Sequence, residues 1–268
     1  MAAPSREYLY GINPLFETVR AGKRKVYEAF LNQATIQQPR MAKLARFLEQ
    51  QQIPVSLVDK HRLFELARSK EHQGAVLKTA PYPYQSFDEV LGCPRLLLLD
   101  NVEDPTNVGG IIRSADIFGV GGICLPVKGT PGIYPSVVKV AAGACEYLPI
   151  CRDCTANTYF RKARAAGYTV VALDGKGQHD LTALPLADFE RLLLVIGGED
   201  KSVGQFILNE ADYIARIPMR GRVNSLNASV AAGIALFCAA QPPGSNSRFG
   251  RFSPDRGSAG TPRPTFSP

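Results

Sequence analysis

Five short apolar segments in the C-terminal two thirds of the chain constrain its fold most strongly. They span residues 96–99, 121–125, 168–173, 192–196 and 213–217. Segments with helical patterns lie between and after them, at residues 109–118, 135–144, 155–166, 203–208 and 227–240. Because the apolar segments are continuous and do not alternate with polar residues, they predict parallel strands buried on both faces of one sheet. Ligands bind such sheets at the carboxyl ends of the strands, so we expect the chemistry in the loops after Leu99, Ile196 and Ile217.

The N-terminal third mixes helix and strand patterns and predicts a small α/β domain at residues 1–84. Residues 39–52 place Met41, Leu44 and Leu48 on one face of a helix. The other predicted elements of this domain are strands at residues 53–58 and 73–77 and a helix at residues 62–68. We interpret residues 85–94, which have no strong pattern, as a linker to a second domain at residues 95–240.

The positive charge of the chain lies outside the predicted sheet domain. Of the formal net charge of +7, residues 1–94 supply 13 basic against 9 acidic residues, and residues 95–240 hold 14 of each. Residues 241–268 hold four arginines against one aspartate and are rich in Pro, Gly and Ser, which predicts a disordered basic tail. A basic module beside a neutral one suggests that the first contacts a polyanion such as a nucleic acid. Ordinary variation of surface charge would also explain an excess of this size.

Composition excludes several classes of protein. No apolar run approaches the roughly 18–20 residues that a bilayer-spanning helix needs, and the N-terminal residues carry no apolar signal region, so we expect a cytoplasmic protein without membrane contact. The six cysteines of such a chain are expected to be reduced thiols. Cys151 and Cys154 have the spacing of half a zinc site, but no second cysteine or histidine pair completes it, so we predict no metal.

The loop after Leu99 contains an unusual set of polar residues. Asp104 and Pro105 precede a helical segment that Asn107 is placed to cap. Arg113 follows within that otherwise apolar helix, where a cation is costly unless it is paired or faces a site. An arginine that extends from the helix edge into solvent is the simpler explanation of this loop taken alone.

The other two loops have equally specific patterns. Gly197 and Gly198, followed by Glu199, come directly after a buried strand and allow a ligand to approach the backbone closely. The third loop leads from Ile217 to Ser225 and Asn227, either of which could cap the closing helix. Neither the G-x-G-x-x-G fingerprint of dinucleotide sites nor a Walker lysine pattern is present, which argues against a nucleotide-dependent oxidoreductase or a triphosphate site.

Together the three loops resemble the SpoU-type RNA ribose 2'-O-methyltransferases, a branch of the SPOUT superfamily. The matching residues are Asn101, Asp104, Pro105, Asn107, Gly109 and Arg113, then Gly197 to Glu199, then Ile217 to Met219 and Ser225 to Asn227. Residues 10–14 and 72–74 also resemble the substrate-binding domain of ribosomal-protein L30e type that precedes the catalytic domain in this family. The resemblance covers about residues 8–240 and is greatest to bacterial enzymes that methylate a guanosine ribose of the large-subunit (23S) rRNA.

The resemblance implies a Rossmann-like parallel sheet whose C-terminal part forms a trefoil knot, with S-adenosylmethionine bound in the knot and a homodimer formed through it. It implies transfer of a methyl group to a ribose 2'-hydroxyl of RNA, with S-adenosylhomocysteine as the product and without a metal. The implied catalytic residues are Arg113, Asn107, Glu199, Ser225 and Asn227. The implied cofactor-binding residues are Gly197, Gly198, Ile217, Met219, Ser225 and Leu226.

Two alternatives stay open from the sequence. A tRNA-directed ribose methyltransferase of the same family has the same catalytic motifs, although the N-terminal domain favours rRNA. A non-catalytic RNA-binding protein of ribosome assembly could keep the fold without the activity.

Overall fold

The computed structural model describes residues 6–199, 201–222 and 225–241, and it divides them into two α/β units. In the N-terminal unit the strands are β1 (Glu7–Tyr10), β2 (Val26–Asn32), β3 (Val55–Val58) and β4 (Ala75–Thr79). Its helices are α1 (Ile12–Ala21), α2 (Pro39–Gln50) and α3 (Lys60–Ala67). The sheet order is β1-β4-β2-β3, and β4 pairs antiparallel with both of its neighbours.

Helices pack on both faces of the N-terminal sheet, against side chains that alternate along its strands. Leu9 and Leu77 pack with α1 and α2 on one face, whereas Tyr10 and Val76 pack with Leu63 of α3 on the other. The predicted helices and strands between residues 39 and 77 are confirmed within a few residues. The sequence did not predict β1, α1 or β2.

The C-terminal unit is built on one seven-stranded sheet in which every described pairing is parallel. Its strands are β5 (Arg95–Asp100), β6 (Gly122–Cys124), β7 (Ile150–Cys151), β8 (Thr169–Leu173), β9 (His179–Asp180), β10 (Leu192–Gly197) and β11 (Tyr213–Arg216). Its helices are α4 (Phe87–Val90), α5 (Pro105–Ile117), α6 (Pro135–Val140), α7 (Ala156–Ala165), α8 (Gln205–Glu210) and α9 (Ala228–Ala239). The strand order is β7-β6-β5-β10-β8-β11-β9, which confirms the predicted parallel α/β sheet.

Helix α5 begins four residues earlier than predicted, at Pro105 instead of Gly109, and this changes the place of Asn107. Asp104 is the N-cap, because its carboxylate accepts a hydrogen bond from the Thr106 amide at 2.9 Å, and Pro105 occupies the first helical position, where proline is favoured. The prediction that Asn107 caps this helix was therefore wrong. Asn107 lies inside the first turn, and its side chain is buried and free to bond elsewhere.

Two further segments differ in detail from the sequence patterns. Helix α6 ends at Val140 instead of residue 144, because Ala142 and Gly143 have positive φ angles that end a right-handed helix. The segment 85–94, interpreted as a linker, contains α4. Ser86 and Glu89 cap the start of this helix with reciprocal hydrogen bonds. Of the tail at residues 241–268, all but Gln241 lies outside the described residues. None of the helices in the described part of the chain has the length and apolar character that a bilayer crossing requires.

A buried ion-pair network joins the two units. Arg24 of the N-terminal unit has a fully buried side chain, and its guanidinium bonds both carboxylate oxygens of the fully buried Glu146, at 2.6 and 3.1 Å. The same guanidinium donates to Glu7 at 2.8 Å. Lys23 and the Tyr82 hydroxyl add hydrogen bonds to backbone carbonyls of the C-terminal unit. The units are therefore fixed against each other by groups that are costly to leave unpaired.

We predict that Glu146→Ala destabilises the protein strongly, because it leaves the buried Arg24 cation without its main partner. The expected loss in the free energy of unfolding is about 3–5 kcal/mol. Urea unfolding followed by circular dichroism measures it. As a control, Glu65→Ala removes the partner of the exposed Arg62, and its unfolding midpoint should stay near that of the wild type. Equal midpoints for the two variants would show that the interface does not depend on this pair.

Candidate active site

The three loops singled out in the sequence meet at the carboxyl edge of the parallel sheet. The loop after β5 leads into α5, the loop after β10 contains Glu199, and the loop after β11 leads into α9. Strands β5 and β10 are neighbours, and β8 alone separates β10 from β11. The sheet order therefore brings together residues that are about 100 positions apart in the chain.

A hydrogen-bond network of three side chains ties these loops to one another. One carboxylate oxygen of Glu199, Oε1, accepts from Asn107 Nδ2 at 2.9 Å and from Asn227 Nδ2 at 2.5 Å. Asn227 Nδ2 also donates to Asn107 Oδ1 at 2.8 Å, so the buried Asn107 amide uses both its donor and its acceptor. The second oxygen of Glu199 is not part of this network.

Asn227 has a second task as the cap of the closing helix. Its Oδ1 accepts from the backbone amides of Ser229 and Val230, at 3.0 and 3.3 Å. Of the two caps that the sequence left open, Asn227 and not Ser225 therefore begins α9. The same amide group connects the start of this helix to Glu199, so the direction of the Glu199 carboxylate depends on where the helix begins.

The glycine pair after β10 is required by close contacts between backbones. A Cβ atom on Gly197 would lie 2.5 Å from the Val203 amide nitrogen, and one on Gly198 would lie 2.0 Å from the Asn101 carbonyl oxygen. Asn101 itself has a φ of 58°, in the left-handed region that asparagine tolerates best among residues with a side chain. Glycine is thus needed at these positions because the loops pack closely against each other, whether or not a ligand also approaches them.

Asp100, the last residue of β5, holds the glycine loop against the sheet. Its Oδ2 accepts from the Gly204 amide at 2.7 Å. Burial raises the pKa of the Asp100 carboxyl above its ordinary value, and the bond from Gly204 offsets part of that rise. Asn101 Nδ2 adds a bond to the Ser202 carbonyl at 3.3 Å. These contacts fix the far end of the loop that begins at Gly197.

A cleft of about 320 Å³ lies between the loops after β8, β10 and β11. Its lining residues are Leu173, Asp174, Gly175, Ile196, Gly197, Gly198, Glu199, Ser202, Ile217, Met219, Ser225, Leu226, Asn227, Ala228 and Ala231. The volume falls at the lower end of the roughly 300–1,000 Å³ of small-molecule sites. All six residues that the sequence assigns to cofactor binding lie in this lining, together with Glu199 and Asn227.

The charged groups of the cleft are acidic. Asp174 and Glu199 supply carboxylates, and none of the lining residues in the described part of the chain is a lysine or an arginine. The rest of the lining combines polar side chains such as Ser225 with apolar ones such as Leu173 and Ile196. Such a cleft suits a ligand with a flat apolar part and a positive charge, and it disfavours a polyphosphate. Among the residues that the structure describes, no cluster of side chains has the composition of a metal site.

Asp174 was not among the residues predicted from the sequence, although its position after an apolar segment indicates a place at the same edge of the sheet. This residue directly follows the apolar segment at 168–173, at the carboxyl end of β8. Its Oδ2 accepts from the Ser202 hydroxyl at 2.5 Å, and its Oδ1 accepts from the Lys176 amide at 2.8 Å. Because β8 lies between β10 and β11, the loop at its carboxyl end borders the same cleft, and Asp174 lines it.

Arg113 is the sequence-predicted residue that the structure places apart from the others. It lies on the exposed side of α5 and is not among the residues that line the cleft. Within the described ranges it makes no ion pair and no hydrogen bond through its side chain. Helical spacing puts it one turn before Ile117, whose side chain is 67% exposed. A guanidinium in this position is free to contact a ligand or another molecule that approaches α5.

Both units match models of known protein families. Residues 94–237 match the model of the SpoU rRNA methylase family, and residues 8–85 match a model described as RNA 2'-O ribose methyltransferase substrate binding. A Bacillus subtilis protein, YacO, assigned to the TrmH family of tRNA/rRNA methyltransferases, is 32% identical over 244 residues, which are 86% of this chain and 94% of that protein.

Solved structures resemble both units together. The rRNA methyltransferase of Sinorhizobium meliloti with bound AdoMet has a TM-score of 0.71 at 27% identity and covers 87% of this chain and 86% of that one. The SpoU methyltransferase AviRb of Streptomyces viridochromogenes in complex with AdoMet has a TM-score of 0.73 at 24% identity, with 91% of each chain covered. At that identity the second likeness supports the fold alone.

We predict that Gly198→Ala distorts the cleft, because the added methyl group would lie 2.0 Å from the Asn101 carbonyl oxygen. The expected loss of stability is at least the roughly 1–3 kcal/mol of an overpacked core site. Thermal unfolding measures it. A matched control is Gly92→Ala, whose added methyl group meets no atom within 4 Å. If the two variants unfold at the same temperature, the contact between Gly198 and Asn101 does not shape this loop.

Proposed function

The chain belongs to the SpoU rRNA methylase family, and from this premise we propose that it transfers the methyl group of S-adenosylmethionine to a ribose 2'-hydroxyl of RNA. The product of the donor is S-adenosylhomocysteine. The observation that carries the proposal is the network of Glu199, Asn107 and Asn227 at the edge of an acidic cleft. A guanosine of large-subunit rRNA is the target that we favour.

The residues of the cleft fit S-adenosylmethionine. Gly197 and Gly198 leave no side chain between the strand end and the cleft. We assign the backbone groups of Gly197, Ile217 and Leu226, which line the cleft, to holding the adenine ring. The donor carries a net positive charge at neutral pH, which matches the carboxylates of Asp174 and Glu199. Met219 and Ser225 complete the lining on the side of the third loop.

When bound, S-adenosylmethionine supplies a methyl group on a sulfonium centre that is already a good leaving group, so the chain must supply alignment and proton handling. The arginine side chain is effectively always charged, and Arg113 is therefore unsuited to remove a proton. We assign it the task of holding the phosphate next to the acceptor ribose bidentately and polarising the hydroxyl. Asn107, Glu199, Ser225 and Asn227 orient the ribose at the mouth of the cleft.

We propose that two copies of the chain associate through the surface formed by α5 and α9. Ile117, Val230 and Phe237 are each about half exposed or more on these helices. Phe237 contacts Phe118 edge-on, with the ring centroids 6.0 Å apart, so the apolar side chains of the two helices meet there; we refer to these four residues as the apolar strip. Arg113 lies along this strip, and a homodimer formed here would carry both copies of Arg113 at its interface.

The family also supports two finer features of the fold. We propose that the segment from β10 to α9 is threaded as a trefoil knot; β10 lies between β5 and β8, and α9 returns to pack against α5. We further propose that the N-terminal unit is of L30e type and binds the RNA substrate. Its match to a substrate-binding family model and its excess of basic residues support that role.

Incubation with tritiated S-adenosylmethionine and with rRNA fragments or tRNA tests the function and the choice of substrate. We expect label in the rRNA, in a nucleotide whose 2'-hydroxyl has become resistant to alkaline hydrolysis. Label in tRNA alone would favour the tRNA-directed alternative. If the chain binds RNA but no S-adenosylmethionine, the non-catalytic alternative is correct and the proposed activity is not.

For Arg113→Ala we predict a specific loss of methyl transfer. The rate should fall by about 100-fold or more, as expected when a charged group that stabilises the reacting centre is removed. Calorimetry should give an affinity for S-adenosylmethionine within about twofold of the wild type, because Arg113 does not line the cleft. Arg161→Ala, a change of an exposed arginine on α7 of the same unit, serves as the control and should keep wild-type turnover. Near-normal turnover of Arg113→Ala would refute its assigned role.

A further inference from the structure

A groove of about 650 Å³ lies between α1 and α2 on the N-terminal unit, away from the cleft of the catalytic unit. The residues that line it are Phe16, Arg20, Gln37, Pro39, Ala42, Lys43, Arg46, Phe47 and Gln50. The groove thus combines aromatic, amide and cationic side chains on a unit whose own role is to bind the substrate.

The cations of α2 beside this groove are not neutralised. Arg40, Lys43 and Arg46 are all exposed and recur at intervals of three residues, which keeps them on one side of the helix. None of the three forms an ion pair with a carboxylate in the described part of the chain. By contrast, Arg62 and Arg20 are each paired with a glutamate at 2.6–2.8 Å. Lys43 and Arg46 therefore present charge that is available to an anion.

The floor of the groove is aromatic. The rings of Phe16 and Phe47 lie with their centroids 5.2 Å apart at an angle of 37°, and both side chains are only partly buried. Nucleobases of unpaired RNA stack on such rings whatever their sequence, and cations beside the rings hold the flanking phosphates. The groove therefore suits a ligand that has a flat ring for the two phenylalanines and phosphates for Lys43 and Arg46.

Two further cations lie at the start of α2 and on the catalytic unit. Arg40 donates to Asn13 Oδ1 at 2.5 Å, and it is close enough to Lys139 of α6 to affect the pKa of that ammonium. Lys139 reaches into the N-terminal unit, since a Cβ on Gly11 would come within 2.6 Å of its Nζ. Burial lowers the pKa of the Lys139 ammonium, with Arg40 contributing in the same direction and Glu71 opposing it. Helix α6 packs directly on α5, which carries Arg113.

We propose that this groove binds an unpaired nucleotide of the RNA substrate. The base stacks on Phe16 and Phe47, and Lys43 and Arg46 hold the adjacent phosphates. Arg40 and Lys139 continue the path of the RNA backbone across the junction of the two units towards Arg113. The inference rests on the proposed function in one respect, that the substrate is RNA.

The first test removes the cations. We predict that the double variant Lys43→Gln/Arg46→Gln binds a fluorescein-labelled RNA hairpin with a single-stranded loop about tenfold more weakly than the wild type at 0.1 M salt. In fluorescence anisotropy, the slope of log affinity against log salt should fall by about 1.4, the value for two lost contacts to single-strand phosphates. Lys60→Gln/Arg68→Gln, the same charge change at the two ends of α3 on the other face of the sheet, is the matched control and should keep the wild-type slope, because both of these cations are also exposed and without an ion pair in the described part of the chain.

The second test reports stacking directly, because the sequence contains no tryptophan. In the variant Phe47→Trp the hairpin should quench the tryptophan emission, whereas a fully paired RNA duplex should leave it unchanged. Phe64→Trp places the probe on α3, where the side chain is also partly exposed, and should show no quenching with either RNA.

The outcomes separate this inference from the function on which it rests. If the wild type binds no RNA, the proposed function fails and the inference fails with it. If the wild type binds the hairpin but the double variant and its control bind equally well and with equal salt slopes, the groove is not the site and the proposed function stands. Quenching of Phe64→Trp instead of Phe47→Trp would likewise overturn the inference and place the RNA on the opposite face.

Discussion

The arrangement of the catalytic unit depends on one carboxylate oxygen, Glu199 Oε1, and the amide groups that it gathers. Through Asn107 and Asn227 this oxygen joins the start of α5 to the start of α9, and its own backbone follows the central strand β10. Each of the three residues comes from a different segment, Asn107 from the first turn of α5, Glu199 from the loop after β10 and Asn227 from the N-cap of α9, so no single segment could hold the geometry alone.

Much of this site follows from the sequence because parallel sheets place loops by a simple rule. The continuous apolar segments predicted the strands, and their carboxyl ends predicted where Gly197, Ile217 and Asn227 would meet. The rule was incomplete at β8, where Asp174 follows the strand directly and lines the cleft. The predicted cap of α5 was also wrong, although Pro105, a residue favoured at the first helical position, marks Asp104 and not Asn107 as the cap. Arg113 lies in the helix that the sequence predicts. Its position relative to the cleft depends on the orientation of α5, which the residue pattern does not give.

The N-terminal unit was less predictable for physical reasons. Helix α1 begins after Gly11, which has a φ of 95° and offers no side chain as a cap, and it contains Pro14 within its first turn, where proline is tolerated but looks like a break. The ion pair of Arg24 and Glu146 joins residues 122 positions apart and buries both charges. No local sequence pattern predicts a contact over that distance. That contact fixes the basic unit beside the catalytic one, so an RNA bound to the first is held at a constant position relative to the cleft.

Titration calorimetry with S-adenosylmethionine and, separately, with ATP tests most directly whether Glu199 and its partners form an acidic donor site. We expect binding of one S-adenosylmethionine per chain, a large loss of that binding in Glu199→Ala, and no heat of binding with ATP. Binding of ATP by the wild type, or S-adenosylmethionine binding that is unaffected by Glu199→Ala, would show that these residues do not form such a site.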